Sequence, residues 1–237
     1  MIPIIHSKYF ENILNEEQIE IFVTLQKTLK KLNQFSNLTK LIDGDDYWIS
    51  QIYDSIWPFF IDSKGYYDRK KFIDIGSGCG FPGLAYAITH PYSQIYLIDS
   101  SEKKTNALKK IVAAINLEDR VFVIKERIEE FGHNSLFRNT FDIGTTRAVS
   151  SPSTVSEYIL PMLKEEGLGL IYCGKWKLED QKKLEKTLHI LKGYIKKIKK
   201  TSLPAGKGER HVIYIKPIRK CSELYPRSLG KPAKHPL

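Results

Sequence analysis

The 237-residue sequence has few cysteines, no long apolar run and no charged start followed by an apolar stretch. Its three cysteines, Cys79, Cys173 and Cys221, are odd in number and lack metal-ligand spacing, which favours a reducing compartment and predicts no metal site. The longest apolar run, residues 56–61, is far below the roughly 20 residues of a membrane helix. Residues 1–10 lack the features of a signal peptide. We therefore expect a cytoplasmic protein without a membrane partner.

Negative charge is scarce in the last quarter of the chain. Residues 175–237 hold 18 Lys/Arg against 5 Asp/Glu, whereas residues 1–174 hold 19 against 22. The last quarter therefore carries +13 and the rest of the chain −3, which gives the formal net charge of +10, and aromatic residues are interleaved with the cations of the last quarter. Such a segment indicates a polyanionic partner, nucleic acid before membrane, although a merely solvated face can show the same charge pattern.

One stretch of the chain is rich in glycine: residues 71–83, with the sequence KFIDIGSGCGFPG. Its apolar residues 72–75 predict a buried strand, and Pro82 stands where a helix can begin. A strand, a glycine turn and a helix N-terminus together expose backbone amides to a ligand. The stretch therefore predicts a nucleotide-like cofactor. Its four glycines are Gly76, Gly78, Gly80 and Gly83.

These glycines match two different motifs. Gly78-x-Gly80-x-x-Gly83 fits the dinucleotide fingerprint, and Gly76-x-Gly78-x-Gly80 fits the first motif of S-adenosylmethionine methyltransferases. In both, Asp99 at the end of the next strand can accept hydrogen bonds from ribose hydroxyls. A nicotinamide enzyme needs an acid–base residue beside the hydride site, and the six scattered histidines offer no convincing candidate. An NAD(P)-dependent oxidoreductase stays the alternative at this point.

The alternation of strand and helix patterns from residue 71 onward predicts an α/β fold. Helical patterns separate most of the predicted strands, which indicates a parallel sheet covered on both faces, and a closing hairpin adds one antiparallel strand. Two helices are expected before the first strand, at residues 15–33 and 46–59, and residues 225–237 are expected to be neither helix nor strand. The predicted strands are residues 72–75, 95–98, 121–124, 141–145, 168–173, 194–199 and 211–216.

Several motifs resemble one known family. Residues 74–83 are similar to the D-x-G-[ST]-G-x-G-x-P-G motif of the ribosomal RNA small subunit methyltransferase G family (RsmG/GidB), and their Phe-Pro-Gly end is more selective than the glycines alone. Further motifs extend the resemblance over almost the whole chain. They are LIDS at residues 97–100, RIEE at 127–130, TRAV at 146–149, NQFSNLT at 33–39, Asp54-Ser55, and the ending from Tyr225. The chain departs from the family at Gln51, where a His is usual, and at Gly174-Lys175, where Lys-Gly is common.

The resemblance implies a Rossmann-like S-adenosylmethionine-dependent methyltransferase fold, with a mostly parallel seven-stranded sheet, helices on both faces and an N-terminal helical addition. It divides the chain into an N-terminal extension (1–66), a core (67–220) and a basic, proline-containing tail (221–237). The implied activity is methylation of guanine N7 in 16S ribosomal RNA, acting on the RNA or the small subunit as a monomer. Because of the two departures, a catalytically inactive RNA-binding protein on this fold is kept as an alternative.

The resemblance also implies site residues. Those expected to hold the cofactor are Gly76, Gly78, Gly80, Phe81, Asp99, Ser100, Ser101, Ile128, Glu129 and Arg147. Arg147, at the carboxyl end of the fourth strand, is the predicted catalytic residue, able to hold a carboxylate, a phosphate or guanine O6; its alternative is a surface ion pair with Asp142 or Glu129. The residues expected to bind RNA phosphates, with a steep dependence on salt, are Lys175, Lys199, Lys200, Lys207, Arg210 and Arg227.

Overall fold

The computed structural model of the protein describes residues 9–60 and 67–237. The strands of this part of the chain are β1 (Lys71–Ile75), β2 (Gln94–Asp99), β3 (Val121–Lys125), β4 (Phe141–Arg147), β5 (Leu163–Cys173), β6 (Gly193–Ser202) and β7 (Glu209–Pro217). They form one sheet in the order β3-β2-β1-β4-β5-β7-β6. Strands β1 to β5 pair in parallel, and β7 is antiparallel to both β5 and β6. The predicted α/β fold class, with its closing hairpin, is confirmed.

Helices precede and separate most of these strands in the predicted order, and a short helix that was not predicted follows β7. They are α1 (Glu16–Ser36), α2 (Gly44–Tyr47), α3 (Asp54–Phe60), α4 (Gly83–Thr89), α5 (Glu102–Ala114), α6 (Ile128–Phe131), α7 (Pro152–Ile159), α8 (Leu178–Leu191) and α9 (Lys231–Lys234). A π-helical segment, Trp48–Tyr53, joins α2 to α3, and a 3-10 turn, Leu160–Met162, follows α7.

The sheet lies between two apolar layers because successive side chains of a strand point to opposite faces. On β1, Phe72 belongs to the core formed with α1, α3, α4 and α5. Ile73 and Ile75 belong to the core formed with α6, α7 and α8. Helices therefore cover both faces of the sheet, as predicted for a parallel sheet buried on both sides.

Helix α1 begins as the sequence indicates and ends later. The Asn15 side chain accepts a hydrogen bond from the Gln18 backbone N–H, and the Gln18 side chain accepts one from the Asn15 N–H, which forms a capping box. The helix was expected to end at residue 33 but continues to Ser36. Asn37 is the C-cap, with a left-handed φ of 43°, and Asn33 Oδ1 holds the turn that follows by accepting hydrogen bonds from the backbone N–H groups of Leu38 and Thr39.

The second N-terminal helical run, from α2 to α3, is longer than the predicted 46–59 and contains the π-helical segment. Both of its tryptophans, Trp48 and Trp57, are buried in the core. The segment also buries polar groups, Gln51 and Asp54, which face the carboxyl edge of the sheet. Single π-helical turns occur often at functional sites.

Two expectations drawn from the sequence are wrong: the start of the fifth strand, and the absence of a helix from the tail. Strand β5 begins at Leu163 rather than at residue 168, since Phe141 pairs with Leu163 and Ile143 with Leu168 across a bulge that leaves residues 164–166 exposed. The tail contains the short helix α9, although it was expected to have none; Pro232 stands in the first turn of that helix, where its missing N–H costs nothing.

No helix within residues 9–60 and 67–237 is long and apolar enough to cross a membrane. The expectation for residues 1–10 falls largely on residues 1–8, which lie outside the described ranges, as do residues 61–66 beside the predicted boundary at residue 66. The division of the chain into three parts stays a prediction.

Two buried titratable side chains, Asp74 and His90, make the stability of the protein depend on pH in opposite directions. Asp74 accepts hydrogen bonds from the Gly83 N–H (3.0 Å) and the Thr145 hydroxyl (3.0 Å), and its burial raises its pKa from 3.8 to about 6. His90 stacks on the Tyr86 ring with 4.1 Å between ring centroids, and its burial lowers its pKa from 6.5 to about 4. The folded state therefore favours the neutral form of both groups.

We expect these contributions to cancel in the native protein and to separate in variants. Stability from Asp74 is full below pH 3.8 and is lost as the pH rises through about 6, whereas stability from His90 is full above pH 6.5 and is lost as the pH falls through about 4. Each is worth about 3 kcal/mol. Urea unfolding between pH 4 and 7 should show His90→Phe losing stability as the pH rises, and Asp74→Asn gaining it. Two variant profiles parallel to the native one would contradict both assignments.

Candidate active site

The glycine loop between β1 and α4 is fixed by backbone contacts with its neighbours. The N–H groups of Gly76 and Ser77 donate to the Ile98 carbonyl at 2.8 and 3.0 Å, which ties the loop to β2. A Cβ on Gly83 would stand 2.3 Å from Cδ2 of Leu97 and 2.9 Å from Oδ2 of Asp74, so only glycine lets α4 start this close to the sheet. The loop therefore holds its shape at the carboxyl edge of the sheet, where open parallel sheets bind ligands.

Two adjoining cavities open at this edge. The first, called the Asp99 cavity, has a volume of about 360 Å³ and lies against the ends of β1 and β2 and the start of α6. The second, called the Arg147 cavity, has a volume of about 460 Å³ and lies between the glycine loop, the ends of β4 and β5, and the N-terminal helical run. Both volumes are in the range of small-molecule sites. The cavities are contiguous, because Gly76, Lys104 and Ala148 line both.

Asp99 is the acidic residue at the centre of the first cavity. Its carboxylate accepts hydrogen bonds from the backbone N–H groups of Gly78 (3.0 Å) and Ser101 (2.9 Å), and Lys104 Nζ lies 3.8 Å away. These contacts orient a buried side chain whose oxygens still have lone pairs for further donors. The geometry suits hydrogen bonds to a pair of vicinal hydroxyls.

The start of α6 forms an opposite wall of the Asp99 cavity. Ile128 is buried and offers an apolar surface. The neighbouring Glu129 is also buried, and its Oε1 accepts hydrogen bonds from the Tyr158 hydroxyl (3.2 Å) and the Gly230 N–H (3.1 Å). Burial, together with the Glu129 carboxylate, raises the pKa of Tyr158, so this hydroxyl stays a donor. The wall combines a flat apolar face with a fixed carboxylate.

The Arg147 cavity is organised by one guanidinium group. Arg147 donates to the Ser50 carbonyl (3.2 Å), to Asp54 Oδ2 (3.3 Å) and, in a short contact, to Gln51 Oε1. The sequence offered Asp142 or Glu129 as an ion-pair partner, and that alternative is wrong. The N-terminal helical run supplies the partner instead.

Asp54 lies between two arginines. Besides Arg147, Arg210 from β7 contacts the same carboxylate oxygen, with Nε 3.4 Å from Oδ2. Burial raises the pKa of Asp54, and the two guanidinium groups act against that effect without cancelling it. Oδ1 is buried and has no hydrogen-bond partner in the part of the chain that the structure describes. The sequence alone gives no role for Asp54, because the two arginines that contact it are 93 and 156 residues away.

Gln51, the departure from the family pattern, connects the glycine loop to this cluster. Its amide nitrogen lies 3.2 Å from the Thr39 hydroxyl and 3.5 Å from the Cys79 sulfur, while its oxygen accepts from Arg147. An amide can make these donor and acceptor contacts at once. The substitution therefore leaves Arg147 held in place.

The predicted cofactor residues divide between the two cavities. Those lining the Asp99 cavity are Gly76, Asp99, Ser100, Ile128 and Glu129; those lining the Arg147 cavity are Gly76, Gly78, Phe81 and Arg147. Gly80 faces α4 and α5 instead, since a Cβ there would meet Leu84 at 2.3 Å and Leu108 at 3.0 Å. Ser101 is the N-cap of α5. Gly80 and Ser101 therefore support the shape of the site without lining either cavity.

The predicted RNA-binding cations have different surroundings. Lys175 is exposed directly after β5, and Lys199 is half-buried on β6. Lys200 pairs with Glu209 (2.5 Å), Lys207 with Asp46 (2.9 Å) and Arg210 with Asp54. The Lys200 and Lys207 pairs lie at the surface, where such pairs contribute little and can exchange for other anions, whereas the Arg210 pair involves the buried Asp54.

Arg227 needs a correction. Its Nε and Nη2 donate to the two carboxylate oxygens of the fully buried Glu157, at 2.9 and 2.8 Å, and Nη2 also donates to the His235 carbonyl. The guanidinium holds the tail on the core instead of lying open to RNA phosphates. The sequence shows that residue 227 is a cation, but it does not show that Glu157, 70 residues earlier, is buried and accepts hydrogen bonds from it.

The seven-stranded sheet with these cavities at its carboxyl edge defines a Rossmann-like α/β protein with a small-molecule site. In fold it is similar to the crystal structure of M. jannaschii TYW2 in complex with AdoMet, with a TM-score of 0.53 at 13% identity over 70% of this chain and 74% of that one. The branched-chain polyamine synthase C9 mutein from Thermus thermophilus gives 0.52, also at 13% identity, over 65% of this chain and 52% of that one. These likenesses show the fold alone.

Sequence comparison identifies the family. The family GidB, described as rRNA small subunit methyltransferase G, matches residues 18–213. The ribosomal RNA small subunit methyltransferase G of Prochlorococcus marinus subsp. pastoris (strain CCMP1986 / NIES-2087 / MED4) is 60% identical over 226 residues, 95% of each chain. That of Prochlorococcus marinus (strain MIT 9312) is 59% identical over 230 residues, 97% of each chain. The chain belongs to the rRNA small subunit methyltransferase G family.

Family membership decides between the expectations drawn from the sequence. It confirms an S-adenosylmethionine-dependent methyltransferase, while the roles of the individual glycines stay a prediction. The alternative drawn from the sequence, an NAD(P)-dependent oxidoreductase, is therefore wrong.

Proposed function

We propose that this protein transfers a methyl group from S-adenosylmethionine to N7 of a guanine in 16S ribosomal RNA, in the cytoplasm and as a monomer. The observation that supports the proposal most is the contact between the two cavities. One offers a carboxylate suited to ribose and the other a positively charged space for a substrate base, and both meet at Gly76 and Ala148. A donor and an acceptor can therefore lie side by side.

The residues of the Asp99 cavity fit the adenosine part of the cofactor. Asp99 is oriented to accept hydrogen bonds from ribose hydroxyls, and Ile128 presents an apolar face to a purine. Gly78, which lines the adjoining Arg147 cavity, has a positive φ of 58°, and a Cβ there would stand 3.8 Å from its nearest neighbour, the Gly76 carbonyl oxygen, so the backbone itself borders the open space where the two cavities meet. A ligand can approach that backbone closely.

The chemistry needs positioning more than proton transfer. When bound, S-adenosylmethionine supplies a methyl group already activated on a sulfonium, and guanine N7 offers a lone pair without a proton to remove. The protein has to hold the base in line, keep water out and keep N7 free of donors. The absence of an acid–base pair from the sequence patterns is consistent with this chemistry.

Arg147 is the residue that we propose for positioning the base. Its planar guanidinium is held by Asp54, Gln51 and the Ser50 carbonyl, and its Cζ lies 6.0 Å from the centre of the Phe81 ring. A fixed donor group can bind guanine O6 while N7 stays free for the methyl group. The base has to leave its stack in the RNA to enter this cavity.

The basic surface beside the Arg147 cavity is proposed to hold the RNA backbone. Gly174 and Arg210 line the mouth of the cavity, and Lys175 follows directly. Lys200 and Lys207 lie on the same hairpin as Arg210 and can exchange their surface carboxylates for phosphates. The RNA would therefore approach across the ends of β5, β6 and β7.

Methyl transfer with purified components tests the proposal. Labelled S-adenosylmethionine is offered with 16S RNA, with small subunits and with 23S RNA as the control. We expect label in a small-subunit substrate, as N7-methylguanine, and none in 23S RNA. A 16S transcript carrying 7-deazaguanine, which has no N7, should accept no label. If no form of the substrate is labelled while the protein still binds RNA, the inactive RNA-binding alternative is correct.

A further inference from the structure

The C-terminal end of the chain forms part of the wall of the Asp99 cavity. Gly230 and Ala233, at the start of α9 and within it, line this cavity together with Asp99 and Ile128. The first pair belongs to the tail and the second to the core, whereas the tail was expected to carry positive charge and to bind RNA through Arg227. The structure therefore gives the tail a place beside the cofactor-binding residues.

The tail is held there by buried polar contacts. The Arg227 backbone N–H and side chain both donate to Glu157, which is fully buried on α7. The Thr154 hydroxyl donates to the Pro232 carbonyl at 3.2 Å, and the Thr187 hydroxyl donates to the Leu237 carbonyl at 2.7 Å. A buried charge-assisted pair costs much to break on one side only, so the docked position is well defined.

The segment leading into this region is anchored at a second point. Arg138 donates to the carbonyl groups of Cys221, Ser222 and Tyr225 at 2.7 to 3.0 Å, and a ring nitrogen of His133 lies 2.7 Å from the Pro226 carbonyl. The chain is thus fixed before Arg227 and again after it. Gly230 and Ala233, which border the cavity, follow the first set of contacts in the sequence.

Glu129 connects the docked tail to the cavity wall. Its carboxylate accepts the Gly230 N–H at 3.1 Å, while the residue itself lines the cavity next to Ile128. A ligand packed against Ile128 and Glu129 would therefore also meet Gly230 and Ala233. Lys231 and Lys234, on the same short helix, are exposed, so their charges face the solvent.

We propose that residues 226–237 are a working part of the cofactor site: docked on the core, they close the Asp99 cavity around the adenosine of S-adenosylmethionine. Docking of the tail and binding of the cofactor then stabilise each other, since such coupling is reciprocal. The inference rests on the proposed position of the adenosine in the Asp99 cavity.

The test uses two phenylalanine substitutions on the same helix. Ala233→Phe fills the cavity, whereas Lys234→Phe adds the same side chain outside it. By calorimetry, Ala233→Phe should weaken S-adenosylmethionine binding about tenfold or more, and Lys234→Phe should stay within about twofold of the native Kd. Ala233 is exposed, so its variant should unfold in urea at the native midpoint, which separates a filled cavity from a failure to fold.

Hydrogen exchange supplies a second readout that does not need the reaction. S-adenosylmethionine should slow exchange at residues 226–234 in the native protein. Arg227→Gln should speed it in the free protein and also weaken cofactor binding. Native Kd in Ala233→Phe, equal losses in both phenylalanine variants, or unchanged exchange on adding the cofactor would overturn the inference. If the native protein itself binds no S-adenosylmethionine, it is the proposed function that fails.

Discussion

Replacing Asp99 with asparagine should weaken S-adenosylmethionine binding about 10- to 100-fold, because a hydrogen bond to a charged group is worth about 1.5–3 kcal/mol. Asn keeps the shape of the side chain but presents an NH₂ group where an oxygen stood. One of the two backbone donors now held by Asp99, on Gly78 and Ser101, would then face another donor. Both the ribose contact and the shape of the glycine loop are affected. Titration calorimetry measures the change.

Asp142→Asn is the matched control for this prediction. Asp142 is a carboxylate on the same sheet, at the amino end of β4, where it accepts the Lys71 N–H (2.7 Å) and pairs with Lys164 (2.8 Å). This substitution should lower stability without changing the Kd for the cofactor. Native affinity in Asp99→Asn, or an equal loss in both variants, would contradict the assignment of Asp99 to ribose.

Replacing Arg147 with methionine should lower the rate of methyl transfer about 100-fold at saturating cofactor and RNA, because a displaced base loses its alignment. The methionine has a similar length but cannot donate to guanine O6. Asp54 keeps its contact with Arg210, so the buried carboxylate still has a positive partner. Single-turnover transfer of labelled methyl groups measures the step, and the Kd for the cofactor shows whether its binding has changed.

Arg210→Met is the control for Arg147. It removes the other guanidinium from the same oxygen of Asp54 and leaves Arg147 in place. If Arg147 only neutralises Asp54, the two variants should have the same single-turnover rate. We expect Arg210→Met to weaken RNA binding while keeping most of the rate at saturating RNA. Equal rates in the two variants would contradict a positioning role for Arg147.

Features carried by contiguous residues could be predicted from the sequence. The strand, glycine loop and helix of residues 71–89 lie within one stretch, and Asp99 follows at the end of the very next strand, so motif and spacing together locate the Asp99 cavity. The capping box of Asn15 and Gln18 is local for the same reason. The parallel pairing of β1 to β5 then follows from the alternation of strands and helices.

Features that depend on tertiary packing could not be predicted. Asp54 meets Arg147 only because the N-terminal helical run packs at the carboxyl edge of the sheet. Arg227 looked like an open cation because nothing near it in sequence shows that Glu157 is buried within reach. Prolines suggested an irregular tail, whereas docking on α7 and a proline in a first turn are compatible with a short helix.

The most direct test of the account is the modification state of 16S ribosomal RNA in cells with and without this protein. N7-methylguanine can be mapped by reduction and strand cleavage, since methylation at N7 makes the base chemically labile. The account predicts one guanine in 16S RNA that is methylated at N7 only when the protein is present, and that loses the mark with Arg147→Met. An identical pattern of N7-methylguanine in both kinds of cell would contradict it.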